Sequence, residues 1–96
     1  MPGEPASASR LTLQRAFGEV IRAARAERGL SQERLAHDSG YDRTYLGLLE
    51  RGQRNPSLLT VIRVASVLGM KPSELIQRVE DRLGRRLKEV GRPKAP

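Results

Sequence analysis

The chain predicts an all-α fold, a compact bundle of about five helices. Apolar residues recur at helical spacing in one segment after another, β-branched residues are scarce, and no segment alternates over six residues. The second to fifth segments open on a capping residue or a proline, and the first four close on a glycine. The connections are short, so successive helices must fold back on one another.

The first segment runs from about Leu13 to Arg28, with Leu13, Phe17, Val20, Ile21 and Ala24 on one stripe. Gly29 supplies a left-handed stop, and Leu30 is the apolar residue that folds back over it. Ser31 caps a second helix with Glu33 in its first turn and Leu35 and Ala36 facing inward, ending near Gly40. Asp42 caps a third, where Tyr41 can pack on Leu46 as a hydrophobic staple, and Gly52 stops it. After the loop Gly52-Gln53-Arg54-Asn55-Pro56, Ser57 caps a fourth helix with Leu58, Val61, Ile62, Ala65 and Leu68 as its apolar residues. Pro72 opens a fifth, with Leu75, Ile76, Val79 and Leu83 on one face. Both ends lack periodicity and hold proline. Residues 1–10 are therefore expected to form a disordered tail, 11–83 a single domain, and 84–96 a basic extension with an irregular end from Gly91.

Ninety-six residues make one domain at most, and 38% hydrophobic residues permit a small packed core. There is no cysteine, which excludes disulfides, thiolate chemistry and cysteine-based metal sites. No apolar run approaches the roughly 18 residues that span a bilayer, and no secretion signal is visible, so a cytoplasmic protein without membrane contact is expected. Lys and Arg total 18 against 11 acidic residues, a net charge of +7. Fifteen of those cations are arginines, whose forked guanidinium suits phosphates and base edges. A small basic domain points to nucleic acid or an anionic surface; the bland reading is a solvated, arginine-rich exterior. His37, the one histidine, sits beside Asp38 with no partner set for a metal or for catalysis, and reads as solvated. Acidic residues are scattered, and without strands no glycine-rich phosphate loop can follow one. Neither an enzyme, a cofactor nor a metal is expected.

The second and third helices are short and joined by Ser39-Gly40-Tyr41, which is the make-up of a helix-turn-helix unit. Any small bundle contains such a pair, so the faces of the third helix carry the argument. At about 100° per residue, Tyr45, Leu46 and Leu49 share one apolar side, while Arg43, Thr44, Gly47, Leu48 and Arg51 point away from the core. An ordinary surface helix would place Glu, Lys and Gln there. Gly47 costs roughly 1 kcal/mol relative to alanine in a helix interior, and close approach of a large partner is one reason to keep it.

The stretch Gly29-Leu30-Ser31-Gln32, Leu35-Ala36, Gly40, Tyr45-Leu46, Leu49-Glu50-Arg51-Gly52 and Asn55-Pro56-Ser57-Leu58 resembles the DNA-binding domain of the Xre, or lambda repressor and Cro, family. The likeness covers roughly Leu13 to Val79. It implies a lambda repressor-like bundle of about five helices that binds double-stranded DNA sequence-specifically as a dimer and regulates transcription. By position, it implies that Gln32 holds a phosphate at the start of the second helix. It makes Arg43 and Thr44 the main base readers, Arg43 fitting both acceptors of a guanine and Thr44 a thymine methyl or a polar edge. Gly47 and Leu48 match later groove-facing positions, although the family commonly has polar residues at the position of Leu48. Arg51, Gln53, Arg54 and Asn55 match the loop that clasps the backbone, giving affinity without sequence information. Glu50 matches an acid that pairs with a first-helix arginine, here Arg25, in a structural ion pair.

Ile76, Val79, Leu83, Leu87 and Val90 continue one stripe beyond what a closing helix needs. The expectation is that the fifth helix runs on past Gly84 and pairs with its twin. Two recognition helices would then lie about 34–36 Å apart on successive major grooves. Function is accordingly expected to be that of a homodimeric repressor or autoregulator. The alternatives are a toxin-masking antitoxin, in which the extension from Leu83 meets the toxin, and a restriction–modification controller.

Overall fold

A computed structural model describes residues 4–92, and within them the chain forms six helices and no strand. These are α1 (Glu4–Glu27), α2 (Gln32–Ser39), α3 (Arg43–Glu50), α4 (Leu58–Val67), α5 (Pro72–Leu83) and α6 (Arg86–Gly91). The fold is all-α, as the periodicity predicts. Phe17, Val20, Ile21 and Ala24 of α1 form the core with Leu35, Leu46, Leu49, Val61, Val64, Leu68, Leu75, Val79 and Leu83. No helix among the described residues is long and apolar enough to cross a membrane.

The three predicted N-caps are in place. Ser31 Oγ accepts from the Arg34 N–H at 3.0 Å, Asp42 Oδ1 from that of Tyr45 at 2.8 Å, and Ser57 Oγ from that of Thr60 at 3.1 Å. Each satisfies a donor that the first helical turn leaves open. Leu30 folds back over the end of α1 by donating its N–H to Arg25 O at 3.0 Å.

Four expectations require correction. First, the leading helix starts at Glu4 rather than Leu13, so residues 4–10 of the expected tail are helical; Met1–Gly3 lie outside the described residues. Pro5 stands in the first turn, where its missing N–H is harmless. The Ser9 hydroxyl donates to Glu89 O at 3.2 Å, so the other end of the chain holds this one.

Second, the fifth helix does not continue. Gly84 breaks it at φ 54, ψ −124, a conformation open to glycine, and α6 begins anew at Arg86. Third, the proposed dimer stripe is thereby divided. Val79 and Leu83 are buried in the chain's own core, Val90 is half-buried against it, and only Ile76 and Leu87 remain exposed. Gly91 closes α6, and Pro93–Pro96 lie outside the described residues.

Fourth, α4 buries Thr60, Val61, Val64 and Ala65, followed by Leu68, whereas Leu58 and Ile62 face solvent. The segment is apolar almost all round, so spacing alone cannot choose its phase. Tertiary contacts choose it. Thr60 Oγ1 lies 2.9 Å from Tyr41 Oη, 3.4 Å from Tyr45 Oη and 3.0 Å from Ser57 Oγ. Tyr41 turns its ring to Tyr45, with centroids 5.0 Å apart, and so ties the start of α3 to α4.

Candidate nucleic-acid interface

The geometry of α3 is set from behind. Leu46 and Leu49 are fully buried, and Glu50, an acid at the end of an otherwise apolar face, is buried with them. An uncompensated carboxylate there would be strongly disfavoured. Arg25 compensates it through two parallel bonds, Nε to Oε2 at 2.7 Å and Nη2 to Oε1 at 3.0 Å. Its remaining nitrogen, Nη1, donates to Leu30 O at 2.8 Å, so one guanidinium joins α1, the turn before α2, and α3. The bonds to Glu50 hold the Arg25 pKa above its ordinary value, against the opposing effect of burial. Gln32 Nε2 completes the brace by donating to Glu50 Oε1 at 2.9 Å.

Two further contacts escaped the sequence reading. At Gly18 the backbones of α1 and α3 come so close that an added Cβ would lie 2.4 Å from Leu49 O. The buried Gln14 side chain donates its amide to Gly52 O at 3.0 Å, fastening the loop that follows α3. A glycine in the middle of a strongly periodic helix was the available signal for the first. The second had none, because a buried glutamine looks local until its partner 38 positions away is known.

Gly52 itself closes α3. With φ +74 it lets Gln53 donate its N–H to Leu48 O at 2.9 Å and turns the chain outward into the loop.

The outward side of α3 is now defined. Arg43 and Thr44 are exposed in its first turn, just after the Asp42 cap. Gly47, expected to face outward, is buried beneath the Arg51 guanidinium, where an added Cβ would be 3.2 Å from Nη1 and 3.9 Å from Gln32 Oε1. Gln32, Arg43, Thr44, Gly47 and Arg51 together line one shallow cleft. Leu48 is half-buried, at the border between the outward and core sides. Along the loop, Arg51, Gln53, Arg54 and Asn55 are all exposed. Arg51 Nε donates to Gln53 Oε1 at 3.4 Å, and Arg54 Nη1 to Gln53 O at 2.9 Å, so three of the four already touch.

This surface has the chemistry of a reader of polyanions: forked donors and a hydroxyl on a rigid helix, flanked by a cationic loop. The described residues bring together no group of three metal-binding side chains. His37 lies elsewhere, exposed and 3.2 Å from Asp38 Oδ1; hydrogen bonds from His37 and Arg34 hold the Asp38 carboxyl below its usual range.

Comparison with known proteins gives the same picture. The family model described as Helix-turn-helix matches residues 21–75. The chain is 36% identical over 66 residues to an uncharacterised HTH-type transcriptional regulator of Sinorhizobium fredii, covering 69% of this chain and 86% of that one. It is 38% identical over 61 residues to the control protein C.BamHI of Bacillus amyloliquefaciens, covering 62% and 75%. Among solved structures it resembles the restriction–modification controller protein C.AhdI of Aeromonas hydrophila, with a TM-score of 0.63 and 48% identity over 65% of this chain and 94% of that one.

Proposed function

The chain belongs to the helix-turn-helix family of DNA-binding transcriptional regulators, and from that premise we propose that it recognises a specific operator in double-stranded DNA as a cytoplasmic homodimer, acting as a repressor or autoregulator. One observation carries the reading. Arg43 and Thr44 stand exposed on a helix whose opposite side is locked by Leu46, Leu49 and the Arg25–Glu50–Gln32 brace. Base recognition demands donors held in one geometry, and the brace supplies it. Arg43 pairs with a guanine and Thr44 with the neighbouring base, while Gly47 lets the groove come close to the helix backbone. Gln32, Arg51, Gln53, Arg54 and Asn55 hold phosphates on either side, fixing register. Leu48 touches the edge of the groove with its exposed part.

The dimer uses a different surface from the one periodicity suggested. Leu58, Leu59 and Ile62, at 76%, 51% and 45% exposure, form an apolar strip along the start of α4, close after the phosphate loop. A second copy covering that strip would remove it from water and keep both recognition helices on one side of the pair.

Selection from a random pool of duplexes tests the function. One sequence class should emerge, and Arg43→Ala should lose about 1–3 kcal/mol on it while sparing binding to unrelated DNA. Equal losses on both would remove Arg43 from base reading.

A second reading is favoured by the likeness to C.BamHI and C.AhdI: control of a restriction–modification operon by the same DNA contacts. An operator lying upstream of nuclease and methyltransferase genes supports it. The antitoxin alternative relied on the extension from Leu83, which packs on α1 and on the core instead.

A further inference from the structure

We propose that the outer flank of α1, through Arg15 and Arg22, forms a third line of phosphate contacts beside α3 and its loop; this rests on the DNA-binding reading above. Residues 14, 18 and 25 of α1 meet α3 and its loop, through the Gln14 bond to Gly52 O, the Gly18 backbone approach and the Arg25 bonds to Glu50. At about 100° per residue those three share one stripe, and the buried Ala16, Phe17, Val20 and Ala24 lie round to one side of it. Arg15 and Arg22, seven positions apart, lie together on the other side.

The contact at Gly52 places Arg15 more closely. An added Cβ on Gly52 would fall 2.7 Å from Arg15 Cγ and 2.9 Å from its Cα. The arginine stem therefore crosses the loop at the residue that precedes Gln53, Arg54 and Asn55. Arg22, also exposed, lies two turns further along the same side of α1, between the levels of Gly18 and Arg25.

Charge distinguishes these two residues from other arginines on the same helix. Arg25 is held by Glu50 and Arg28 Nη1 donates to Leu68 O, whereas Arg15 and Arg22 are exposed with no hydrogen-bond or ion-pair partner among the described residues. Glu19, next to Arg15 and Arg22 by helical spacing, pairs across to Arg82 of α5 at 3.1 Å, and Glu27 pairs with Arg78 at 3.2 Å. The carboxylates of Glu19 and Glu27 are thus engaged by α5, and Arg15 and Arg22 keep their charge open. The ligand chemistry that answers two open guanidiniums beside a phosphate-holding loop is the next phosphates of the same DNA strand.

The salt dependence of binding isolates this role. The slope of log affinity against log salt, measured on a fixed duplex of arbitrary sequence, should fall by about 0.9 for each phosphate contact removed. Arg15→Gln and Arg22→Gln should each lower it by that amount and the double variant by about twice it, while Arg15→Lys and Arg22→Lys restore the wild-type slope. Glutamine keeps most of the stem, so loss of packing over Gly52 would show as an earlier thermal transition with the slope untouched. Arg78→Gln on α5, whose guanidinium is already paired with Glu27, serves as the control and should leave the slope unchanged. A double variant as salt-sensitive as wild type overturns the proposal; if Arg43→Ala still loses affinity for the selected site alone, the DNA-reading function stands without it. A wild-type chain that binds no duplex overturns both.

Discussion

Gly18 and Gly47 are both glycines inside helices, and each forgoes about 1 kcal/mol of helix propensity relative to alanine, yet their surroundings are opposite. At Gly18 the neighbours are backbone carbonyls of Leu49 and Glu50, which cannot move without shifting α3. Gly18→Ala should therefore destabilise the fold by more than 2 kcal/mol or so, an overpacking effect read directly from the urea midpoint. At Gly47 the nearest atom is the tip of the Arg51 side chain, which can swing away. Gly47→Ala should stabilise the free protein by up to about 1 kcal/mol and at the same time weaken operator binding, because a methyl now stands where the groove must approach. Unchanged affinity would mean that Gly47 is spared for folding reasons alone. The Arg25–Glu50 pair belongs to the same scale. Arg25→Ala leaves a buried carboxylate with only Gln32 to answer it, and a loss of about 3–5 kcal/mol is expected in thermal or denaturant unfolding.

Among the elements, α2 and α3 were legible because their signals are local: Ser31 and Asp42 cap them, glycines follow them, and their apolar faces are narrow enough to have one phase. The opposite holds for α4, where an almost wholly apolar segment hides its orientation until Tyr41 and Tyr45 bond Thr60. Gly84 was readable as an interruption, but spacing across it suggested one long helix. What the spacing could not contain is that α6 turns back to place Val90 on the core and Glu89 O over Ser9. A chain ending after Leu83 should consequently melt earlier, by roughly 1 kcal/mol for the lost packing of a half-buried valine, with its oligomeric state in sedimentation unchanged. A switch from dimer to monomer in that truncation would return α6 to the role the stripe first suggested.

For the molecule as a whole, the proposed homodimer requires a surface on which two copies can pair. The described chain measures 42 × 24 × 19 Å, and exposed Leu58, Leu59 and Ile62 stand on α4 just after the Gly52–Pro56 loop. Leu58→Ser with Ile62→Ser changes only exposed side chains, so the monomer should keep its thermal midpoint. The same double variant should sediment as a monomer and bind a two-half-site operator at least about tenfold more weakly, a difference of about 1.4 kcal/mol. Persistence of the dimer would assign pairing to another face. Net charge of +7 makes all such binding steeply salt-dependent, so the comparison belongs at one ionic strength.

Helix content, the helix-turn-helix pair and the exposure of Arg43, Thr44 and Arg51 were available from residue order alone, since each depends on neighbours within a few positions. Which side of α4 is buried, where α1 begins, and how Gln14, Gly18 and Arg25 hold α3 in place arose only on folding. Those features are contacts between residues tens of positions apart, and linear spacing carries no record of which distant groups will meet.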